Sequence, residues 1–491
     1  MNQILRNNLV YSLLLGCGLA FQPALGMASS FQSGEFMIVG FKGDALLPEQ
    51  LSHFQKIKPR GFILFSRNIT NPQKTAQLVK AVKSLNTSPT ENLIAVDQEG
   101  GLVQRVKGWV TLPSARAIGQ SGDAQLTYQL GVETGKILKS LGINMNLAPV
   151  LDLGQQASSD FMRSRTYGRN PASVGMHGVH FSRGLLSQGV LPVAKHFPGL
   201  GKAKSDPHLS TPIVHLSPHE WTLKLEPFQA FSQLSPSGMM VSHAIYSPQD
   251  PSGHPATFSS FIHKTLLRSQ LKYDGIVITD DLLMAGATQH RDLGRAAVDA
   301  LKAGADLVLV SWGLKQQRLI AKAIDRAIMS GEISEDQLRM KRVRISNALR
   351  ALQSSSREPA AEMGPQFETP KLLQLVEESY TKSVALTLAG QNLRIERFVC
   401  EKASTCLWIK QNTSARVSDV IPQRSTYTFI AESMTSANAA LHGKRKPAAV
   451  IFMSHHEFAA QTTIPVINLY GRQKTGLKVA IEALMKGPSS N

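Results

Sequence analysis

Five short apolar stretches of this chain end in side chains that exchange protons, attack or carry charge. They are Asp97, Asp152, the pair Lys195 and His196, His243, and the pair Asp280 and Asp281. Any one of them is unremarkable alone, because a polar residue at a strand end usually just finds a hydrogen-bond partner. Carboxylates, imidazoles and an amine placed at the same point of successive runs are a different matter. Those are the groups of acid–base and nucleophilic chemistry.

The runs that end in them must be strands. In order they are MIVGF (37–41), GFILFS (61–66), LIAVDQ (93–98), INMNLAPVLD (143–152), VLPVAKHF (190–197), GMMVSHAIY (238–246), GIVITDD (275–281) and ADLVLVSW (305–312). Several are apolar on both faces, as parallel strands covered by helices are. Spacers such as AQLVKAVKSL and GRAAVDALKAG carry apolar residues at helical intervals. Eight strands alternating with helices predict an α/β fold of the (β/α)₈ TIM-barrel type, whose strand C-termini all face one active-site mouth. A doubly wound open sheet would need a glycine-rich dinucleotide turn after the first strand, and GFKGDALLP is a poor match.

The motifs VDQEGGLVQR (96–105), APVLD (148–152), SRTYG (164–168), KHFPGLG (195–201), SDPHLSTP (205–212) and ITDDLLM (278–284) fall at these places in order. Together they resemble family 3 glycoside hydrolases over about residues 36 to 350, and the Asp-x-His pair is similar to the β-N-acetylglucosaminidase branch. The resemblance implies Asp280 as the nucleophile that forms a glycosyl-enzyme intermediate. It implies His208 as acid/base with Asp206 as its orienting partner. Asp97, Arg105, Arg165, Lys195 and His196 match the family's contacts to the terminal N-acetylglucosamine. No cofactor and no metal are implied.

The residue types suit those roles. Retaining glycoside cleavage needs a carboxylate nucleophile and an acid/base across the scissile bond. An imidazole titrates near neutrality, and a carboxylate two residues away can steady its cation. Sugar hydroxyls call for carboxylate acceptors and Arg or Lys donors on rigid strand ends. The plainer readings are an Asp280–Asp281 helix cap, an exposed loop His208 and ion pairs within the mouth. Three positions depart from the family pattern: Leu102 for Arg in EGGR, Leu200 for the second His of KHFPGHG, and Pro207 for Ser between Asp206 and His208. Each bears on loop geometry, and Pro207 stiffens the loop that places His208.

The implied activity is retaining exo-β-N-acetylglucosaminidase action on a β-GlcNAc-containing oligosaccharide or peptidoglycan fragment. The alternatives are another family 3 activity, β-glucosidase or N-acetylglucosaminide phosphorylase, and a non-catalytic sugar-binding protein.

The rest of the chain frames this site. Its 491 residues exceed one typical core. Residues 1–30 read as an export signal: Arg6, an apolar run from Leu9 to Phe21, and small residues Ala24, Gly26 and Ala28 for cleavage. Leu14-Leu15-Gly16-Cys17 also resembles a lipobox. The expected location is therefore periplasmic or extracellular, with lipid anchoring at Cys17 as a second route. The barrel is expected over 31–353, a Ser-, Pro- and Glu-rich linker over 354–370, and a smaller α/β domain over 371–491. Cys400 and Cys406 suit a disulfide in an exported chain. A net charge of +18 fits a basic surface and association with anionic envelope polymers. It is spread along the chain with no nucleic-acid motif, so no nucleic-acid partner is expected.

Overall fold

Runs rich in Val, Ile, Leu and Phe form the eight central strands because both of their faces are covered. A computed structural model of the chain describes residues 31–85, 92–106, 112–154, 162–200, 210–288, 291–355 and 370–388. Nearer the C-terminus it describes 397–400, 417–418, 427–431, 449–452, 466–468 and 477–481. The strands are β1 (Met37–Gly40), β2 (Gly61–Leu64), β3 (Leu93–Val96), β4 (Met145–Asn146), β5 (Leu191–Phe197), β6 (Gly238–Val241), β7 (Ile276–Asp281) and β8 (Leu307–Val310). Each pairs in parallel with its neighbours in sequence, and β8 returns to β1, closing a (β/α)₈ barrel.

Side chains alternate as the pleat requires. Ile38, Ile63, Val193, Met240, Ile278 and Leu309 belong to the interior cluster. Val39, Phe62, Leu64, Ile94 and Val96 pack outward under the surrounding helices. Ile345, Leu349 and Leu352 of helix Glu335–Ser355 join the interior cluster. The helices start on side-chain caps, among them Asn71, Asp123, Asn170 and Asp292, which accept backbone N–H groups of the first turn.

All eight strands are shorter than their apolar runs, and two of the runs are interrupted within. The run 143–152 keeps only Met145–Asn146 as ladder, because Pro149 has no N–H to donate; pairing resumes as a single bridge between Val150 and Lys195. The run 238–246 divides at Val241. Its remainder enters a separate strand, Ile245–Ser247, which pairs with Ile213–His215 outside the barrel.

Beyond the barrel, helix Pro370–Leu388 leads into β9 (Arg397–Cys400), β10 (Val417–Ser418), β11 (Tyr427–Ala431), β12 (Ala449–Phe452) and β13 (Val466–Asn468). They form a parallel sheet in the order β10-β9-β11-β12-β13. The helix buries Leu372, Leu375, Val376 and Tyr380 in the same cluster as Ile118, Leu126 and Leu130 of the barrel's helices. Residues 1–30, Cys406 and the segment 406–409 lie outside the described residues. Among those described, no helix is long and apolar enough to cross a membrane.

Candidate active site

The C-terminal ends of the strands open into one cavity of about 590 Å³, lined among others by Asp97, Arg105, Arg165, Lys195, His196 and Asp280. These are six of the eight residues expected at the site. Asp206 and His208, with Pro207, lie outside the described residues.

Asp97 follows β3 directly, and Lys195 and His196 sit in β5. The Lys195 ammonium, 3% exposed, donates to Asp97 Oδ1 at 2.7 Å and lies 2.7 Å from Glu99 Oε1. Arg165 follows β4 and grips Glu99 with two parallel hydrogen bonds of 2.8 Å, the planar fork that guanidinium and carboxylate share. Arg105 Nη2 stands 3.6 Å from Asp97 Oδ2, on the far side of a hairpin formed by Gln98–Gly100 and Val103–Gln104. Burial raises the Glu99 carboxyl, but Arg165 and Lys195 outweigh it and hold it well below the usual carboxylate range. For Lys195, desolvation pulls downward while Asp97 and Glu99 push upward, and the net shift is up. The cluster is thus a network of ion pairs, three cations to two carboxylates, with fixed donors and acceptors suited to a polyhydroxylated ligand.

Glu99 was not among the expected site residues. Its signal was present, since a charged residue two positions after Asp97 on a buried hairpin strand needs a cationic partner.

His196 is fixed from behind. Its Nδ1–H donates to Asp152 Oδ2 at 2.7 Å, which leaves Nε2 outside that bond. Asp152 is fully buried and also accepts the Leu200 N–H at 2.5 Å. Desolvation opposes its charge, and His196 with those donors overcomes it, so the carboxyl stays below its ordinary value. Leu200 is therefore itself held through its backbone, while its own side chain is buried.

Asp280 ends β7. Its Oδ1 accepts the Asp281 N–H at 2.8 Å. Burial pushes the carboxyl upward, but His196, His243, that N–H and Lys195 together bring it below the usual carboxylate value. Asp281 goes the other way: burial raises it, and Asp280 adds to the rise against hydrogen bonds from Ser311 and Leu283. The two neighbours are therefore inequivalent, one kept ionised and one pushed toward its acid form. His243 is buried beneath them. Its Nε2–H donates to the Asp281 carbonyl at 3.0 Å, and Nδ1 meets Thr257 Oγ1 at 2.7 Å. Desolvation lowers its pKa, against the raising influence of Asp280 and Asp281. Among the described residues no group of His, Cys, Asp and Glu is arranged to hold a metal ion.

Comparison with known proteins decides the family. Residues 36–348 match the glycosyl hydrolase family 3 N-terminal domain. The chain belongs to this family. It is a glycoside hydrolase, and its cavity lies at the barrel face where TIM-barrel enzymes carry their active sites. A β-hexosaminidase of Thioalkalivibrio sulfidiphilus is 33% identical over 296 residues, covering 59% of this chain and 84% of the relative. One from Pseudomonas aeruginosa is 35% identical over 270 residues, 54% of this chain and 79% of that protein. Among solved structures, a family 3 β-N-acetylglucosaminidase from Paenibacillus sp. str. FPU-7 matches with a TM-score of 0.80 at 25% identity, covering 92% of this chain and 96% of that one. NagZ from Neisseria gonorrhoeae, in complex with N-trifluoroacetyl-D-glucosamine, matches with a TM-score of 0.58 at 28% identity, covering 70% and 97%.

Proposed function

We propose that this family 3 enzyme is a retaining exo-β-N-acetylglucosaminidase that removes terminal β-linked N-acetylglucosamine from peptidoglycan fragments or chitooligosaccharides. The observation that carries it is the pairing, in one cavity, of an ionised carboxylate at Asp280 with the ion-paired cluster of Asp97, Glu99, Arg105, Arg165 and Lys195. The β-hexosaminidase relatives support the choice of sugar.

In this mechanism the cluster and His196 hold the terminal sugar. Asp280 attacks the anomeric carbon as the bond to the leaving oxygen breaks, and His208 gives that oxygen its proton. Water then attacks the glycosyl–Asp280 ester, His208 takes the water's proton, and the carboxylate is released. Asp206 orients the imidazole and stabilises its cation. His243 is a positioning residue, holding the Asp280–Asp281 turn through the Asp281 carbonyl. The enzyme works outside the cytoplasm, released near Gly26 or anchored through Cys17, on the strength of its N-terminal pattern. Its positive charge favours association with the anionic envelope.

Chromogenic β-GlcNAc and β-glucoside substrates, each with and without phosphate, test the activity. Release from the β-GlcNAc substrate alone, unchanged by phosphate, is expected. Preference for the glucoside, a sugar phosphate product, or binding without cleavage would each replace this function with another.

A further inference from the structure

Trp312 has no part in the chemistry above. It lies two residues beyond β8, is 62% exposed, and lines the same cavity as Asp280, Lys195 and Arg105. Exposed apolar side chains scattered over a surface need no explanation. An indole on the wall of a catalytic cavity is not one of these.

The backbone beneath it is fixed. The preceding Ser311 donates its N–H to Asp281 Oδ1 at 3.1 Å, and its carbonyl accepts from Arg67 Nη2 at 2.7 Å. At Gly40 of the neighbouring β1, a Cβ would fall 2.0 Å from that same carbonyl oxygen, so only glycine lets β1 and the end of β8 come this close. Arg67 is itself held by the Phe41 carbonyl and lies 4.3 Å over the Phe65 ring. The ends of β8, β1 and β2 thus form a rigid wall with Trp312 at its exposed rim.

The cavity has room for a ligand beyond one sugar. Its volume of about 590 Å³ lies inside the ~300–1,000 Å³ range of sites that enclose a whole small ligand, which exceeds a single pyranose. The fixed polar groups cluster at the buried floor, where Lys195 and Glu99 are almost wholly enclosed. Trp312 stands instead at the exposed edge and offers a flat apolar face that asks for no hydrogen bond. The C–H face of a pyranose ring has matching chemistry, whereas a free phosphate does not.

We propose that Trp312 is the platform of a subsite for the second sugar, on which the ring β-linked to the terminal residue stacks its apolar face. This rests on the hexosaminidase function above and adds its preference for a saccharide aglycone. Trp312 acts as a specificity-determining residue and not in the chemical step.

The test compares Trp312→Ala and Trp312→Phe with the wild type on two substrates, methyl β-N-acetylglucosaminide and N,N′-diacetylchitobiose. For Trp312→Ala, kcat/KM on the disaccharide should fall about tenfold, mostly through KM, as loss of one aromatic stacking contact predicts. The methyl glycoside should stay within roughly twofold, as for a surface substitution. Trp312→Phe should recover most of the disaccharide rate. Equal losses on both substrates, or no loss on the disaccharide, overturn the subsite. A wild-type enzyme that cleaves neither substrate is a distinct failure: it removes the hexosaminidase function and the subsite with it.

Discussion

At the scale of single residues, the site is a set of charges each made tolerable by the next. Lys195 sits between Asp97 and Glu99, and Arg165 completes the group. Removing one member of such a buried cluster strands the others. Glu99→Gln should therefore destabilise the fold by about 3–5 kcal/mol at neutral pH, measured by denaturant unfolding. The pH dependence follows from the direction of the Glu99 shift. Its carboxyl is depressed in the folded state, so its contribution is complete above the ordinary value of 4.5 and is lost as pH falls through the lower folded value. The stability gap between wild type and Glu99→Gln should stay constant from pH 7 down to about 5.5 and close only in stronger acid. Asp280 has a depressed carboxyl too, so the acid limb of kcat/KM should lie below the ordinary value of 3.8. An acid limb near pH 5 would mean that another group sets it.

At the scale of elements, one long-range contact carries a clear expectation. Lys341, on helix Glu335–Ser355, donates its ammonium to the carbonyls of Leu301 at 2.9 Å and Ala305 at 2.6 Å, capping the end of helix Leu293–Ala303. Burial lowers its pKa from 10.5 to about 8. Between these values the unfolded chain binds more protons, so stability should rise with pH across that window. The stability difference, wild type minus Lys341→Met, should grow by about 3 kcal/mol from pH 7.5 to 10.5. A flat difference would show that the ammonium loses nothing by burial. No local pattern announces this cap, because donor and carbonyls are far apart in sequence. The eight strands, by contrast, were legible from their two-sided apolar runs, and the barrel mouth from the polar residues that end them. What those runs did not reveal was where pairing stops. Pro149 and the turn after Val241 interrupt runs whose hydrophobicity continues. Arg67 and Trp312 were missed for a related reason: their surroundings come from neighbours on other strands, not from sequence spacing.

At the scale of the whole molecule, helix Pro370–Leu388 shares a core with the barrel. Tyr380 is 1% exposed there, beside the fully buried Leu372, and Lys382 forms ion pairs with Asp123 and Glu378. Tyr380→Ala should cost about 3–5 kcal/mol, as loss of a buried aromatic does. A chain ending at residue 388 should keep both the barrel and its hydrolytic activity, because every described residue of the cavity precedes it. One ending near 360 should melt lower, having lost the cover over Ile118, Leu126 and Leu130. Equal melting temperatures for the two would show that the helix only rests on the barrel. Turnover by the intact chain bears on the central claim, that Asp280 takes up the sugar. The wild-type enzyme, acid-quenched during steady turnover of para-nitrophenyl β-N-acetylglucosaminide and digested, should yield a peptide containing Asp280 heavier by one N-acetylglucosaminyl group. An adduct on a different residue, or turnover with no adduct and release of the inverted sugar anomer, would contradict it.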